Sequence, residues 1–344
     1  MRVSDYSYVL PKSRIAHYPP AQRGQAGLLV LDRSDGALVD RRYSDIASYL
    51  RPGDVLVIND TKVIKARLLA RGKDGRAVEL VLLEKHGKRQ DRHRQRVLYR
   101  GKLAIGDSLW VGQAELIVEQ IGLDGTAVVS CAGDIARLTE NSGQVPLPPY
   151  MKRDATSEDE LRYQTVFAHT KGSVAAPTAS LNMTDELLRK LTSKGIRVCT
   201  LTLHVGLGTF LPIRSDEVEE HTMHSEYFEI PAETVSLVRA AKQSTNRVVA
   251  LGTTVARTLE YAYKTILDTK TKPGPIMGEA NIYIYPGYEF RIVDALITNF
   301  HAPKSTVLML AAAFAGWDNL NRGYQHALKQ NYSFLSYGDS MLIV

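Results

Sequence analysis

Four short polar segments hold the residue types that most suggest chemistry in this chain, and further ionisable groups stand close to them in sequence. The segments read Ala175-Ala176-Pro177-Thr178-Ala179-Ser180-Leu181-Asn182, Thr202-Leu203-His204-Val205-Gly206-Leu207-Gly208-Thr209-Phe210, Gly252-Thr253-Thr254 and Thr298-Asn299-Phe300-His301-Ala302-Pro303. At least three of them follow an apolar β-type run and stand near a helix start. In an alternating α/β domain such loops gather at the carboxyl ends of the strands, where ligands bind. A fifth segment, Glu220-His221-Thr222-Met223-His224-Ser225-Glu226-Tyr227, adds hydrogen-bonding groups. The ionisable members are His204, His221, His224, Glu226, Arg257, Glu260 and His301. Few charges among many neutral donors and acceptors suit recognition of a base, ribose or amino acid, with general acid–base catalysis.

Other chemistries find less support. Gly206-Leu207-Gly208-Thr209-Phe210 is not a G-x-G-x-x-G fingerprint, and no P-loop or G-x-S-x-G elbow is present. His221 and His224 are three apart and could share a helical face, with His204 and His301 completing a metal site. No H-E-x-x-H motif or cysteine cluster supports that, so the expectation is no metal. Each residue also has a plain structural reading. A histidine after a strand is often a satisfied structural group, Arg257 and Glu260 are spaced for a salt-linked pair on a helix, and Asn299 suits a turn.

The elements that position these segments follow from patterning. The chain has 344 residues, 44% hydrophobic and 23% charged, which is ordinary globular composition and long enough for two domains. Cys131 and Cys199 are too few for a disulfide framework, which fits a reduced, cytoplasmic setting. Met1 to Tyr6 has no apolar signal core, and the apolar stretch Val307 to Ala315 is too short to span a bilayer.

From Val63 to about Ser130, short β-type runs broken by Gly and Asp predict a small antiparallel sheet or barrel. Val145-Pro146-Leu147-Pro148-Pro149-Tyr150 ends it as a stiff linker. Beyond it, helices near 158–168, 184–194, 232–244, 254–268, 304–315 and 318–330 alternate with strands near 197–203, 247–251, 281–285 and 292–298. Thr184 and Ser305 are natural helix caps. With a further strand at 54–59, residues 1–60 and 149–344 form one discontinuous α/β domain, and 61–148 an inserted β-barrel domain.

Net charge is +6, and residues 61–148 hold 15 Lys/Arg against 10 Asp/Glu, or +5. A basic module beside a polar site suggests RNA or DNA as partner, although a solvated basic surface fits equally. Residues 85–96 read as a hairpin tip with six Lys/Arg and one Asp, able to track phosphates or to stand as a flexible solvated loop.

The chain resembles the S-adenosylmethionine:tRNA ribosyltransferase-isomerase family of queuosine biosynthesis, essentially end to end. The resemblance is carried by Pro52-Gly53-Asp54, Asn59-Asp60-Thr61-Lys62-Val63-Ile64, Pro146-Leu147-Pro148-Pro149-Tyr150, Tyr163-Gln164-Thr165-Val166 and Val174 to Ala179. Thr202 to Gly206, Gly208-Thr209-Phe210, Met223-His224-Ser225-Glu226, Tyr285-Pro286-Gly287-Tyr288, Thr298 to His301 and Ser336-Tyr337-Gly338-Asp339 extend it. It implies a barrel-like α/β main domain with an inserted small antiparallel β-barrel. It also implies a reaction. The ribosyl group of S-adenosylmethionine, a co-substrate, moves onto 7-aminomethyl-7-deazaguanine at the wobble position of the tRNA anticodon loop. The ribose isomerises to give epoxyqueuosine, and adenine and methionine depart. No metal and no membrane are implied, and the oligomeric state is left open.

That chemistry needs a base for an acidified ribose proton, an acid or donor for adenine, and a neutral attacking amine. His204, His224, Glu226 and His301 are the catalytic candidates. Pro177, Thr178, Asn182, Gly206, Gly208, Thr209, Phe210, Thr253, Thr254, Arg257 and Asn299 are the substrate-binding candidates. Arg257 suits a carboxylate or phosphate.

The family pattern after Pro-Thr-Ala is usually Gly-Leu-His-Phe, whereas here Ser180-Leu181-Asn182-Met183 stands. Asn hydrogen-bonds as His does but does not titrate near neutral pH. Val255-Ala256 also replaces the usual Ser-Val. Two readings follow: an ordinary family enzyme, or a divergent paralogue with altered substrate or reduced catalysis that binds RNA. A methyltransferase using the same cofactor would carry a fingerprint that is absent.

Overall fold

The computed structural model describes residues 1–83, 91–206, 213 and 215–344. The chain divides into two compact units. One comprises Met1–Thr61, Gln164–Thr170 and Pro177–Val344, the other Lys62–Tyr163 and Lys171–Ala176.

In chain order the strands are β1 (Gly27–Leu31), β2 (Leu38–Arg42), β3 (Val55–Asn59), β4 (Thr61–Val63), β5 (Arg67–Gly72), β6 (Ala77–Leu82), β7 (Arg94–Arg100), β8 (Ser108–Val111), β9 (Ala114–Ile121), β10 (Thr126–Ser130), β11 (Thr170–Ser173), β12 (Arg197–Leu203), β13 (Glu226–Ile230), β14 (Val248–Leu251), β15 (Ile276–Ala280), β16 (Ala295–Asn299) and β17 (Ser340–Ile343). The helices are α1 (Ile46–Tyr49), α2 (Ile135–Ser142), α3 (Ser157–Arg162), α4 (Asp185–Ser193), α5 (Ala232–Lys242), α6 (Thr253–Tyr261), α7 (Tyr263–Leu267), α8 (Thr306–Ala315) and α9 (Trp317–Lys329).

The second unit is built on a closed antiparallel barrel in the order β10-β7-β6-β5-β8-β9. Every second residue points inward, so Leu68, Ala70, Val78, Leu80, Leu82, Val97, Leu109 and Leu116 fill the interior. Closure leaves no free edge strand. The unit reaches beyond residues 61–148. Arg153 binds the buried Asp159 at the start of α3 through 2.6 and 2.8 Å contacts, while Lys65 meets Glu160 and Lys171 meets Glu140. Of the expected hairpin tip, residues 84–90 lie outside the described residues. Arg94 and Arg96 belong to β7 and are ion-paired with Glu119 at 2.6 Å and Asp124 at 2.7 Å.

The first unit is organised on a nine-stranded mixed sheet, β15-β13-β12-β3-β14-β16-β17-β1-β2. Strands β12, β3, β14 and β16 are parallel neighbours. β3, β14, β16 and β17 are buried at every position, as their unbroken apolar runs require. The α/β class and the separate antiparallel barrel expected from the sequence are both present. Thr184 and Ser305 cap α4 and α8 by accepting from the Leu187 and Leu308 amides at 3.1 and 3.3 Å.

Three expected elements differ. The strand near 281–285 is instead β15, which pairs antiparallel with β13. The alternating Ile and Tyr of 282–285 serve packing rather than a ladder: Tyr283 lies against Tyr285 and His221, and Ile284 is buried. The helix expected to reach 168 ends at Arg162. The helix expected at 254–268 breaks at Ala262 into α6 and α7.

Glu260 on α6 is fully buried. Its carboxylate accepts from the Arg291, Ile292 and Val293 amides at 2.9 Å each and from the Tyr288 hydroxyl at 3.2 Å. It therefore fixes the turn leading into β16. Glu260→Ala leaves those donors buried and unmatched. It should lower unfolding free energy by at least about 3 kcal/mol in urea titrations; a loss under about 1 kcal/mol would contradict this account.

Candidate active site

Because β3, β12, β14 and β16 run in one direction, the segments that follow them emerge at one edge of the sheet. The chain runs first through β3, then places β12 on one side of it and β14 on the other. Such a reversal opens a crevice at the strands' carboxyl ends.

Asn59 ties that edge together. Its Oδ1 accepts from the Leu203 amide at 3.0 Å and the Thr61 amide at 3.1 Å, and its Nδ2 donates to the Leu203 carbonyl at 3.0 Å. This sets Thr61 beside His204, with Oγ1 2.8 Å from Nδ1. The His204 ring stacks on Tyr227 with centroids 6.2 Å apart. Asp60, between Asn59 and Thr61 in the chain, accepts from Thr202 Oγ1 at 2.6 Å, and burial raises its pKa above the usual carboxylate range.

After β14 the backbone turns sharply at Gly252, φ 106°, a left-handed value that favours glycine. Thr253 and Thr254 then open α6. After β16, the buried Asn299 accepts from Thr178 Oγ1 at 2.9 Å through Oδ1, while its Nδ2 has no hydrogen-bond partner among the described residues. His301 Nε2 lies 2.9 Å from Thr298 Oγ1. The His301 amide donates to the Tyr324 hydroxyl, and the Tyr8 hydroxyl donates to the His301 carbonyl. Burial pushes the His301 imidazole down to about 3. The residue keeps some exposed surface, but its ring packing leaves it neutral near physiological pH.

The strongest charges belong to Glu226 and Arg257, a buried ion pair. Glu226 Oε1 also accepts from the Gly206 amide at 2.8 Å. Burial lowers the Arg257 guanidinium to about 10, so it remains charged at neutral pH. The pair lines a narrow cleft of about 30 Å³ with Met223, Thr253, Thr254, Tyr283 and Thr306. This is room for about one water.

The structure thus gathers Glu226, Arg257, Thr253 and Thr254 around one cleft, and joins Thr178 to Asn299. Gly208, Thr209 and Phe210 lie outside the described residues. Pro177 is buried, just ahead of the turn at Thr178. His224 is exposed on an irregular stretch before β13, and neither it nor His221 sits on a helix. The expected Arg257–Glu260 pair does not form, because Glu260 is held by the 288–293 turn and Arg257 by Glu226. Asn182 is buried, and its Nδ2 donates to the Gly338 carbonyl at 3.1 Å and Ser340 Oγ at 3.4 Å. Met183 belongs to the core. Asp60, Thr61 and Tyr283 are additions. The polar triplet Asn59-Asp60-Thr61 right after an apolar strand carries the same signal as the other segments. Among the described residues no cluster of three His, Cys, Asp or Glu is placed to hold a metal.

A family model described as queuosine biosynthesis protein matches residues 3–343. This chain belongs to that family. It is 55% identical over 345 residues to the S-adenosylmethionine:tRNA ribosyltransferase-isomerase of Pelodictyon phaeoclathratiforme, covering 100% of both chains. The protein of the same name from Syntrophotalea carbinolica is 44% identical over 355 residues, again at 100% of both. The solved structure of S-adenosylmethionine tRNA ribosyltransferase from Thermotoga maritima is 34% identical, with a TM-score of 0.57, over 99% of this chain and 100% of that one.

The buried His301 has a consequence for stability. Unfolded, a histidine titrates near 6.5; folded, this one titrates near 3. Between those values the unfolded chain holds a proton that the folded chain lacks. The His301 contribution is therefore complete above about pH 6.5 and is lost as pH falls toward 3. Its slope should reach up to about 1.4 kcal/mol per pH unit. Urea titrations across pH 4 to 7 should show His301→Gln lessening acid sensitivity by close to one proton, and identical slopes would contradict a buried neutral imidazole.

Proposed function

We propose that this protein transfers and isomerises the ribosyl group of S-adenosylmethionine onto 7-aminomethyl-7-deazaguanine in the tRNA anticodon loop, releasing adenine and methionine and leaving epoxyqueuosine. The observation that carries the reading is 55% identity, over the full length of both chains, to proteins named for this activity. The reading places the enzyme in the cytoplasm with its RNA.

The site's chemistry accords with it. S-adenosylmethionine brings a sulfonium, an ammonium and a carboxylate. A buried Glu226–Arg257 pair offers a countercharge for each sign; the cleft as it stands holds about one water, so binding the zwitterionic end of the co-substrate parts the pair and exchanges one ion pair for two. Arg257 receives the carboxylate bidentately, and Glu226 faces the cationic side. Thr178, Asn299, Thr253 and Thr254 supply donors and acceptors for ribose and adenine, and Asn299 Nδ2 has an unused donor among the described residues. Gly206 positions Glu226 through its amide. A neutral imidazole at His301 can accept a proton where His⁺ cannot, and His204, with Nδ1 2.8 Å from Thr61 Oγ1, is a second imidazole at the strand ends. His224, exposed and close in sequence to Glu226, stands where a substrate amine could reach it. The sulfonium acidifies the neighbouring ribose protons, so a modest base suffices for removal. The nucleophile is the tRNA amine, which forms the new bond to ribose carbon. Adenine and methionine carry away the electron pairs of the bonds they break.

The test is turnover with S-adenosylmethionine and tRNA carrying 7-aminomethyl-7-deazaguanine, following adenine release and tRNA mass. Adenine with the matching mass gain is expected; S-adenosylmethionine consumption giving S-adenosylhomocysteine would overturn the reading. Arg257→Ala should cut kcat/KM by about 10²-fold or more, because it leaves a buried carboxylate unpaired. Arg257→Lys should recover only part of this, since it lacks the fork.

The departures at 180–183 bear on the paralogue alternative. Ser180, Asn182 and Met183 are all buried and away from the cleft lining. Asn182 is hydrogen-bonded at the start of β17. Asn182→His should therefore leave kcat within a few-fold, in contrast to a proton-transfer role, for which restoring the imidazole would raise kcat by about 10²-fold.

A further inference from the structure

The second unit carries a groove of about 750 Å³ that no part of the proposed reaction uses. Its walls include Arg67, Arg100, Leu147, Pro148, Lys152 and Arg153. We propose that this groove binds backbone phosphates of the RNA substrate, an inference that rests on the tRNA-modifying reading above.

The cations divide into two kinds. Arg67 is spent on Glu79 at 2.9 Å and Asp154 at 2.8 Å, and Arg153 on the buried Asp159. These pairs set the shape of the walls. Arg100 and Lys152 are exposed and have no ion-pair partner among the described residues. They are the two mobile charges left for a ligand, and they leave the lining net positive. The contrast with β7 is instructive: Arg94 and Arg96, which the sequence offered for phosphate contact, already have carboxylate partners.

Backbone geometry supports the assignment. Lys152 sits at φ 49°, ψ 35°, a left-handed conformation rare for residues with a side chain. It is held there by its amide donating to the Pro149 carbonyl at 3.3 Å, next to Met151 donating to Pro148 at 3.0 Å. The lysine backbone is thus anchored on a stiff Leu-Pro-Pro turn, while its exposed side chain is left to reach a ligand. The two prolines present no N–H, so this wall cannot pair with an extended peptide as a strand edge would. A phosphodiester chain needs no such donors and uses the cations directly. Residues 61–148 also hold +5 of the +6 net charge, which concentrates the attractive field on this unit.

The variant Arg100→Gln with Lys152→Gly tests this. Glycine suits the left-handed position, so the charge is removed without adding strain. Anisotropy titrations would use the full chain and an unmodified tRNA transcript across a salt series. The double variant should bind on the order of tenfold more weakly, with a salt slope shallower by roughly 1.5, two phosphate contacts' worth. The KM for S-adenosylmethionine and kcat at saturating tRNA should not change. Wild-type affinity and slope in the variant would overturn the proposal. If the wild type releases no adenine yet shows the groove-dependent slope, the reaction assignment fails and the groove assignment stands.

Discussion

The position of β3 is the constraint on which the rest depends. Val55 to Ile58 are buried on both faces, so this strand must lie inside the sheet between β12 and β14. The chain leaves it into the second unit, passes back through Gln164–Thr170 and returns for good at Pro177 before building β12. Its polar continuation, Asn59-Asp60-Thr61, is thereby held at the strand ends. Asn59 satisfies the backbone there with three hydrogen bonds, and without them the His204 and Thr61 contact has no fixed frame. Parallel pairing on either side carries the same alignment to Gly252 and Asn299.

Electrostatics is the second layer. A buried Glu–Arg pair is a poor stabiliser, because the cost of removing both charges from water consumes most of their attraction. Apolar residues of similar size would pack at least as well at this position. What the pair supplies instead is two opposite charges at a cleft, each able to accept a partner. Arg257 stays protonated because its pKa, though lowered, remains near 10. His301 behaves in the opposite sense, since burial keeps it neutral and uses its ring nitrogen for Thr298. One edge of the sheet therefore carries charged and neutral ionisable groups side by side, separated by their surroundings rather than by their chemistry.

Much of this was legible in the sequence where one local pattern decided the outcome. The barrel showed through alternating β runs and Gly turns, and the parallel strands through unbroken apolar runs. The polar segments marked the strand ends directly. Legibility failed where tertiary contacts outweighed local pattern. The Ile/Tyr alternation of 282–285 has strand character, yet Tyr283 packs against His221 and Tyr285, and the ladder falls to 276–280. Arg257 and Glu260 have the spacing of a helical pair, yet both find better partners, one in a strand far along the chain and one in a row of backbone amides. Asp60 follows the apolar run of β3 as His204 follows that of β12, so the same rule reaches both.

The substitutions at 180–183 show the same principle at the scale of function. A histidine replaced by asparagine in a motif suggests lost acid–base chemistry when only residue types are compared. In the fold, the Asn182 amide meets a carbonyl and a hydroxyl at the start of β17, and both of these need a donor or tolerate one. Ser180 and Met183 fill interior space on either side. The position's demand is for a compact polar group that can donate into the sheet, which asparagine meets without titrating. Under the proposed reading, the candidates for proton transfer are His204, His301 and the carboxylates at the strand ends. A change in a motif residue removes chemistry only if that residue's surroundings let it exchange a proton with a ligand. At 182 they direct it to the backbone instead.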